Sequence, residues 1–281
     1  LLDPGDEVLL PSPFWPLSRG IIATKGAIPV QVPFYTRLDD RGFDPEAALE
    51  EAVTDRTVAL YVNTPNNPSG RVLSESTIDA MLGVARRHGL WVFCDEAYEE
   101  IYFDREAPEA IWKRPDICDQ AIAFHTLSKT YGFAGARVGF THGPAGIMNA
   151  IAGMQTFHTY CAPRPMQFGG VAALREGDAW VEESRTLYRD AGYAAAEALG
   201  VRRPDGGTFL FVDVTPHLDT NAEDSGAFLE RCADVGVLLT PGRSCGADYA
   251  KWIRLCFTSV PRDRLDGALE RLAPLFRTPG G

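Results

Sequence analysis

Lysine is scarce in this 281-residue sequence, which has only four: Lys25, Lys113, Lys129 and Lys251. Acidic residues outnumber basic ones, 38 against 27, for a formal net charge of -11. They are spread along the chain and no basic stripe breaks them up, which excludes the electrostatic footprint of a nucleic-acid or anionic-lipid binder. No apolar run approaches the roughly 20 residues of a membrane-spanning helix. A basic segment leading into an apolar stretch and a cleavage site is also missing. The reading is of a cytoplasmic protein with neither nucleic acid nor membrane as partner. Six cysteines are present, at 94, 118, 161, 232, 245 and 256, without a Cys-x-x-Cys pair and without histidines at zinc-ligand spacing. No metal site and no disulfide framework are expected, because a chain of this length buries enough apolar surface without staples.

What is present is the balance of an ordinary globular protein, 45% hydrophobic and 23% charged, sized for one or two domains. The opening Asp3-Pro4-Gly5-Asp6-Glu7 turns directly into the apolar Val8-Leu9-Leu10, so the sequence reads as starting in the middle of a domain. Short apolar strand candidates at 8–10, 28–32, 58–62, 90–94, 121–124 and 137–140 alternate with helical spacing at 45–53 and 74–88. Ser74 is placed to cap the second helix and Gly89 to stop it. This alternation predicts an α/β fold with a mostly parallel sheet. Beyond about residue 165 the texture changes: helices at 167–174, 179–199, 224–234 and 262–276 surround strands at 208–212, 237–239 and 253–257. The expected division is a large domain over 1–175 and a smaller α+β domain over 176–281.

The chemistry-bearing residues fall where strands end. Thr126-Leu127-Ser128-Lys129 follows the strand at 121–124, with Arg137 eight residues beyond the lysine. A lysine at the carboxyl end of a parallel strand can project into the crevice where such sheets bind ligands. There, desolvated, it can lose its proton and attack a carbonyl. A solvated lysine with Arg137 in a surface ion pair is the plain alternative. Asn63-Thr64-Pro65-Asn66-Asn67-Pro68-Ser69-Gly70 follows the strand at 58–62 and has the composition of any tight loop. Phe93-Cys94-Asp95-Glu96-Ala97-Tyr98 closes another strand, where Asp95 could also cap the segment that follows. Trp15 or its neighbour Phe14 is a ring-stacking aromatic or a core residue. Arg254 lies within an apolar strand, a costly place for an unpaired cation, and calls for an ion pair or a ligand.

Taken in order, these segments resemble the class I and II aminotransferases, the aspartate-aminotransferase-like group of pyridoxal-phosphate enzymes, over nearly the whole chain. Gly206-Gly207-Thr208-Phe209 and Pro241-Gly242 match landmarks of that family's small domain. The resemblance implies a mostly parallel, seven-stranded-type sheet flanked by helices, with a smaller α+β domain. It implies that Lys129 carries pyridoxal 5'-phosphate and moves the proton at the substrate's Cα. Arg137 would clamp the phosphate, helped by the hydroxyls of Thr126 and Ser128. Asp95 would pair with the ring nitrogen, Asn67 and Tyr98 with the ring's phenolate oxygen, and Trp15 would stack on the ring. Asn67 and Arg254 would meet the substrate, Arg254 at its α-carboxylate. Amino acids and 2-oxo acids are the implied substrates and a homodimer the implied assembly.

Two departures accompany the likeness. The family usually has roughly a hundred further N-terminal residues, including a glycine-containing phosphate loop, so the phosphate site given by this sequence is expected to be incomplete. The run from Pro241 to Gly246 also differs from the usual pattern, and neither Arg164 nor His158 can be assigned to a substrate side chain. Another pyridoxal-phosphate reaction (lyase, cyclase or oxidase) stays open, as does a ligand-sensing domain of a transcription regulator.

Overall fold

The structure is a computed structural model that describes residues 1–104 and 109–277. Its first strand, β1 (Glu7–Ser12), is buried along its whole length. A strand buried on both faces belongs to a parallel sheet covered on both sides. Around it lie β2 (Ile28–Pro33), β3 (Thr57–Asn63), β4 (Trp91–Asp95), β5 (Ala121–Thr126) and β6 (Gly139–His142), in the order β2-β1-β3-β4-β5-β6. The first five are parallel and β6 runs antiparallel to β5. The sheet thus has six strands among the described residues, where the resemblance implies seven.

Alternation along the strands sorts their side chains into two layers. Leu9, Leu60, Val62, Val92 and Cys94 join a core with Ile78, Met81, Leu82 and Ala85 of α3 (Glu75–His88). These α3 positions recur at helical spacing. The Ser74 hydroxyl accepts the Thr77 amide at the helix start, and Gly89, at φ 62, ends it in the left-handed conformation. Val8, Leu10 and Ala59 face the other way, toward Phe14 and Ile22 of the segment carrying α1 (Pro16–Ala23). A short helix, α2 (Pro45–Glu50), packs against α3.

After the lysine turn, with its single-turn helix α4 (Leu127–Thr130), come α5 (Ala145–His158), α6 (Arg164–Glu176) and the long α7 (Asp178–Leu199). A second, antiparallel sheet follows, β7-β9-β8, formed by β7 (Phe209–Asp213), β8 (Thr240–Pro241) and β9 (Trp252–Cys256). Residues of α7, α8 (Gly226–Asp234) and α9 (Arg262–Leu272) bury it in a core of its own. Tyr98, Ile101 and Phe103, from the loop after β4, belong to that second core. The junction is tightened where the Gly70 carbonyl accepts the amides of Asp205 (2.8 Å) and Gly206 (3.0 Å).

Several sequence expectations shift. The strand expected at 137–140 starts at Gly139, because Arg137 has φ 56, a left-handed conformation incompatible with strand backbone. The strand expected at 237–239 is displaced to Thr240–Pro241, and Leu238 is 87% exposed. Helix α5 was not anticipated; no residue in it is buried, so its apolar residues carry no one-sided pattern. Helix α2 stops at Glu50 instead of reaching 53, and α6 extends beyond 167–174 at both ends. Among the described residues no helix is long and apolar enough to cross a membrane.

Gly70 is the tight point between the two cores. It has φ +67, and a Cβ there would lie 2.8 Å from the Phe209 carbonyl oxygen and 2.9 Å from Pro204 Cβ. Backbone strain and overpacking together predict that Gly70→Ala lowers unfolding free energy by about 1–3 kcal/mol in urea denaturation. An unchanged midpoint would show that this contact is not tight.

Candidate active site

Register sets the site. Asn63 pairs with Asp95, and Asp95 with Phe124, so β3 and β4 end at one level and β5 runs two residues farther, to Thr126. The loops that leave them carry Asn67, Tyr98 and Lys129 to the crevice at the carboxyl ends of the strands, where α/β sheets bind their ligands. A cavity of about 490 Å³ opens there. Trp15, Asn67, Asp95, Tyr98, Thr126, Ser128, Lys129, Arg137 and Arg254 all line it, with Phe124, His125 and Phe209 among the other walls. The sequence-predicted set is therefore brought together in one place, from both sheets.

At the base of the cavity, Asp95 accepts the Ala97 amide on Oδ1 (3.1 Å) and the hydroxyl of Tyr61 on Oδ2. Burial pushes its pKa up, and the Tyr61 and Ala97 donors pull it back. The capping role weighed for Asp95 and a cavity-facing carboxylate thus coexist. Asn63, 1% exposed, ties the level strand ends together. Its side-chain amide donates to the Asp95 carbonyl (3.0 Å) and its Oδ1 accepts the Asn67 amide (2.8 Å). Tyr35, fully buried beneath it, donates its hydroxyl to the Asn63 carbonyl (2.9 Å).

The far wall carries a cation. Arg254 donates from Nη1 to Asn67 Oδ1 (3.1 Å), and Asn67 Nδ2 lies 3.5 Å from the Tyr98 hydroxyl. The Arg254 guanidinium sits 4.5 Å from the centroid of the Phe209 ring. Among the described residues no carboxylate forms an ion pair with it. A partly buried arginine left with free donors is a receptor for an anion. Tyr98, 3% exposed, has its pKa raised, first by burial, so its hydroxyl stays protonated as a donor.

The lysine turn supplies the opposite edge. Thr126 Oγ1 accepts the Ser128 amide (3.1 Å), shaping the turn that presents Lys129. Arg137 donates to the Ala134 carbonyl (2.8 Å), which leaves most of its guanidinium donors unused. Lys129 and Arg137 are both exposed at the mouth of the cavity. The choice between the two aromatics is resolved by burial: Phe14, 1% exposed, is a core residue, and Trp15 lines the cavity. Arg164 and His158, at the ends of α6 and α5, are exposed and do not line it. Tyr61, Asn63 and His125 are the site's neighbours that sequence reasoning did not single out. A polar side chain in each strand's last residues was the available signal.

Comparison with known proteins agrees with this geometry. The family described as aminotransferase class I and II matches residues 1–272. The LL-diaminopimelate aminotransferase of Nitratidesulfovibrio vulgaris is 32% identical, over 98% of this chain and 70% of that protein. The arginine–pyruvate transaminase of Pseudomonas aeruginosa is 33% identical, over 91% of this chain and 65% of that protein. Among solved structures, the N-succinyldiaminopimelate aminotransferase of Mycobacterium tuberculosis superposes with a TM-score of 0.87 at 30% identity, covering 98% of this chain and 73% of that one.

Next to Asp95, Glu96 points elsewhere. It is 8% exposed and borders a second cavity of about 340 Å³ together with Glu99, Glu100 and Trp112. His125 bonds Glu99 through Nδ1 (2.8 Å) and meets His142 through Nε2 (2.9 Å). Burial, followed by the charge of Glu99, raises the Glu96 pKa from 4.5 to about 7. A carboxyl that holds its proton longer when folded stabilises the fold below pH 4.5, and that contribution is lost as pH rises toward 7. The loss is on the order of 3 kcal/mol. Urea denaturation at pH 5 and pH 8 is expected to show the decline in the wild type and a much smaller one in Glu96→Gln. Equal declines in both proteins would refute it.

Proposed function

Because this chain belongs to the class I and II aminotransferases, enzymes of amino-group transfer, we propose that its cavity holds pyridoxal 5'-phosphate on Lys129 and there moves the amino group of an amino acid to a 2-oxo acid. The observation that carries the reading is the convergence of Lys129, Asp95 and Arg254, one amine, one buried carboxylate and one unpaired guanidinium, on a single cavity.

The groups present fit such a cofactor. Asp95 offers an anion to a protonated ring nitrogen, Asn67 and Tyr98 offer donors to an oxygen on the ring, and Trp15 offers a flat face. Arg137, with Ser128 and Thr126 beside it, offers donors to a phosphate. Bound pyridoxal phosphate supplies an electron sink for the charge that develops when a bond at the substrate's Cα breaks.

The chain's own residues do the rest. Arg254 takes the substrate's carboxylate in its planar fork, which fixes the position of Cα against Lys129. The Lys129 amine, once free, would accept the proton leaving Cα and deliver it to the cofactor carbon on the other side of the substrate's nitrogen, acting as the general base and then as the general acid. Asp95, held as an anion, keeps positive charge on the ring nitrogen and so lowers the cost of that proton transfer.

The reading extends to assembly and location. A homodimer is supported by apolar surface left open on α5, α6 and the loop between them: Phe157 is 87% exposed, Tyr160 77% and Phe168 65%. A cytoplasmic site of action is supported by six free cysteines, the state a reducing compartment maintains.

Lys129→Ala in the full-length protein is expected to abolish the visible absorbance of lysine-bound cofactor and to reduce turnover by at least about four orders of magnitude. Undiminished transamination in that variant would overturn the assignment. Sedimentation velocity of the full-length protein is expected to give a dimer; a fully active monomer would remove that part of the proposal.

A further inference from the structure

The geometry points to Tyr61 as a positioning residue for the cavity's carboxylate: its phenol reaches from β3 to Asp95 Oδ2 and holds that group ionised and aimed at the ligand. The inference rests on the role proposed above for Asp95.

Register explains how the two meet. Tyr61 pairs with Phe93 across β3 and β4, and Asp95 is two residues farther along on the same face as Phe93. Side chains in this diagonal relation are within reach only when one of them is long, which a phenol is and a serine or threonine hydroxyl is not. The Ala97 amide holds Oδ1 and Tyr61 holds Oδ2, so rotating the carboxylate would break both bonds at once. A carboxylate has about four acceptor sites, and two remain for a ligand.

The surroundings leave this work to Tyr61. Tyr35 lies beneath the strand ends; Cys94, Glu96 and Tyr98 flank Asp95 in sequence; Lys129 and Arg254 line the same cavity. Among the described residues none of them donates a hydrogen bond to the Asp95 carboxylate. Tyr35, Cys94, Glu96 and Tyr98 either carry no charge or add repulsion. Tyr61 keeps its own proton, because burial and the charge of Asp95 both raise its pKa. Ser18 of α1, itself buried, offers its hydroxyl to the phenol oxygen. A serine hydroxyl there favours a phenol whose proton is turned toward Asp95.

The test uses full-length protein loaded with pyridoxal phosphate and the variants Tyr61→Phe, Asp95→Asn and the double variant. Removing one charge-assisted donor is expected to raise the acid limb of kcat/KM in Tyr61→Phe by about one to two pH units. The pH midpoint of the bound cofactor's visible absorbance is expected to rise as well, a readout that a purely structural tyrosine would not move. If Tyr61 acts through Asp95, Tyr61→Phe adds no further loss in the Asp95→Asn background. An unshifted acid limb and spectrum, or fully additive losses, would overturn the role of Tyr61 while leaving Asp95 in place. Wild-type turnover in Asp95→Asn would instead overturn the reading of Asp95, and this inference with it.

Discussion

Three parallel strands held in one register are the constraint on which this molecule turns. Backbone pairing fixes Asn63, Asp95 and Phe124 in one row, so the loops leaving β3 and β4 have to start from one rim, and β5 stands two residues above it. Asn63 then spends its side chain on the joint itself, bonding the backbone of Asp95 and of Asn67. Because those bonds go to main chain, the rim's shape is set before any functional side chain is chosen. Changes at the rim therefore move Asn67 and Asp95 together.

The second sheet completes what the first begins. Arg254 comes from the central strand of the antiparallel sheet, yet its Nη1 rests on Asn67 at the rim of the parallel one. Gly70 and the loop bearing Tyr98, Ile101 and Phe103 join the two cores at the points that flank this contact. The cation is thus held by a neutral amide, the Thr240 hydroxyl and an aromatic face, partners that orient it without neutralising it. A structural ion pair would have consumed the charge that Arg254 keeps for an anion entering the cavity.

Much of the site could be read from the sequence because its members are local signals: a lysine after a strand, a proline-flanked asparagine turn, an arginine in an apolar strand. The rest depends on register, which no single segment encodes. Tyr61 read as a β-strand aromatic, since only the β3–β4 pairing puts it diagonally across from Asp95. Asn63 read as part of the turn, and its bonds cross to another strand. The strand expected at 137–140 failed at Arg137 because a left-handed residue gives no compositional sign when it is not glycine. Helix α5 was missed for a different reason: its apolar residues surround it, and a pattern search needs one polar face.

That same surface has a colloidal consequence. Phe157, Tyr160 and Phe168 stand in solvent on a chain whose isoelectric point is about 5.0. At neutral pH the formal charge of -11 opposes any association beyond the pairing proposed for this surface. Acidification toward pH 5.0 removes that repulsion, so whatever part of this apolar surface a partner copy leaves uncovered becomes free to associate.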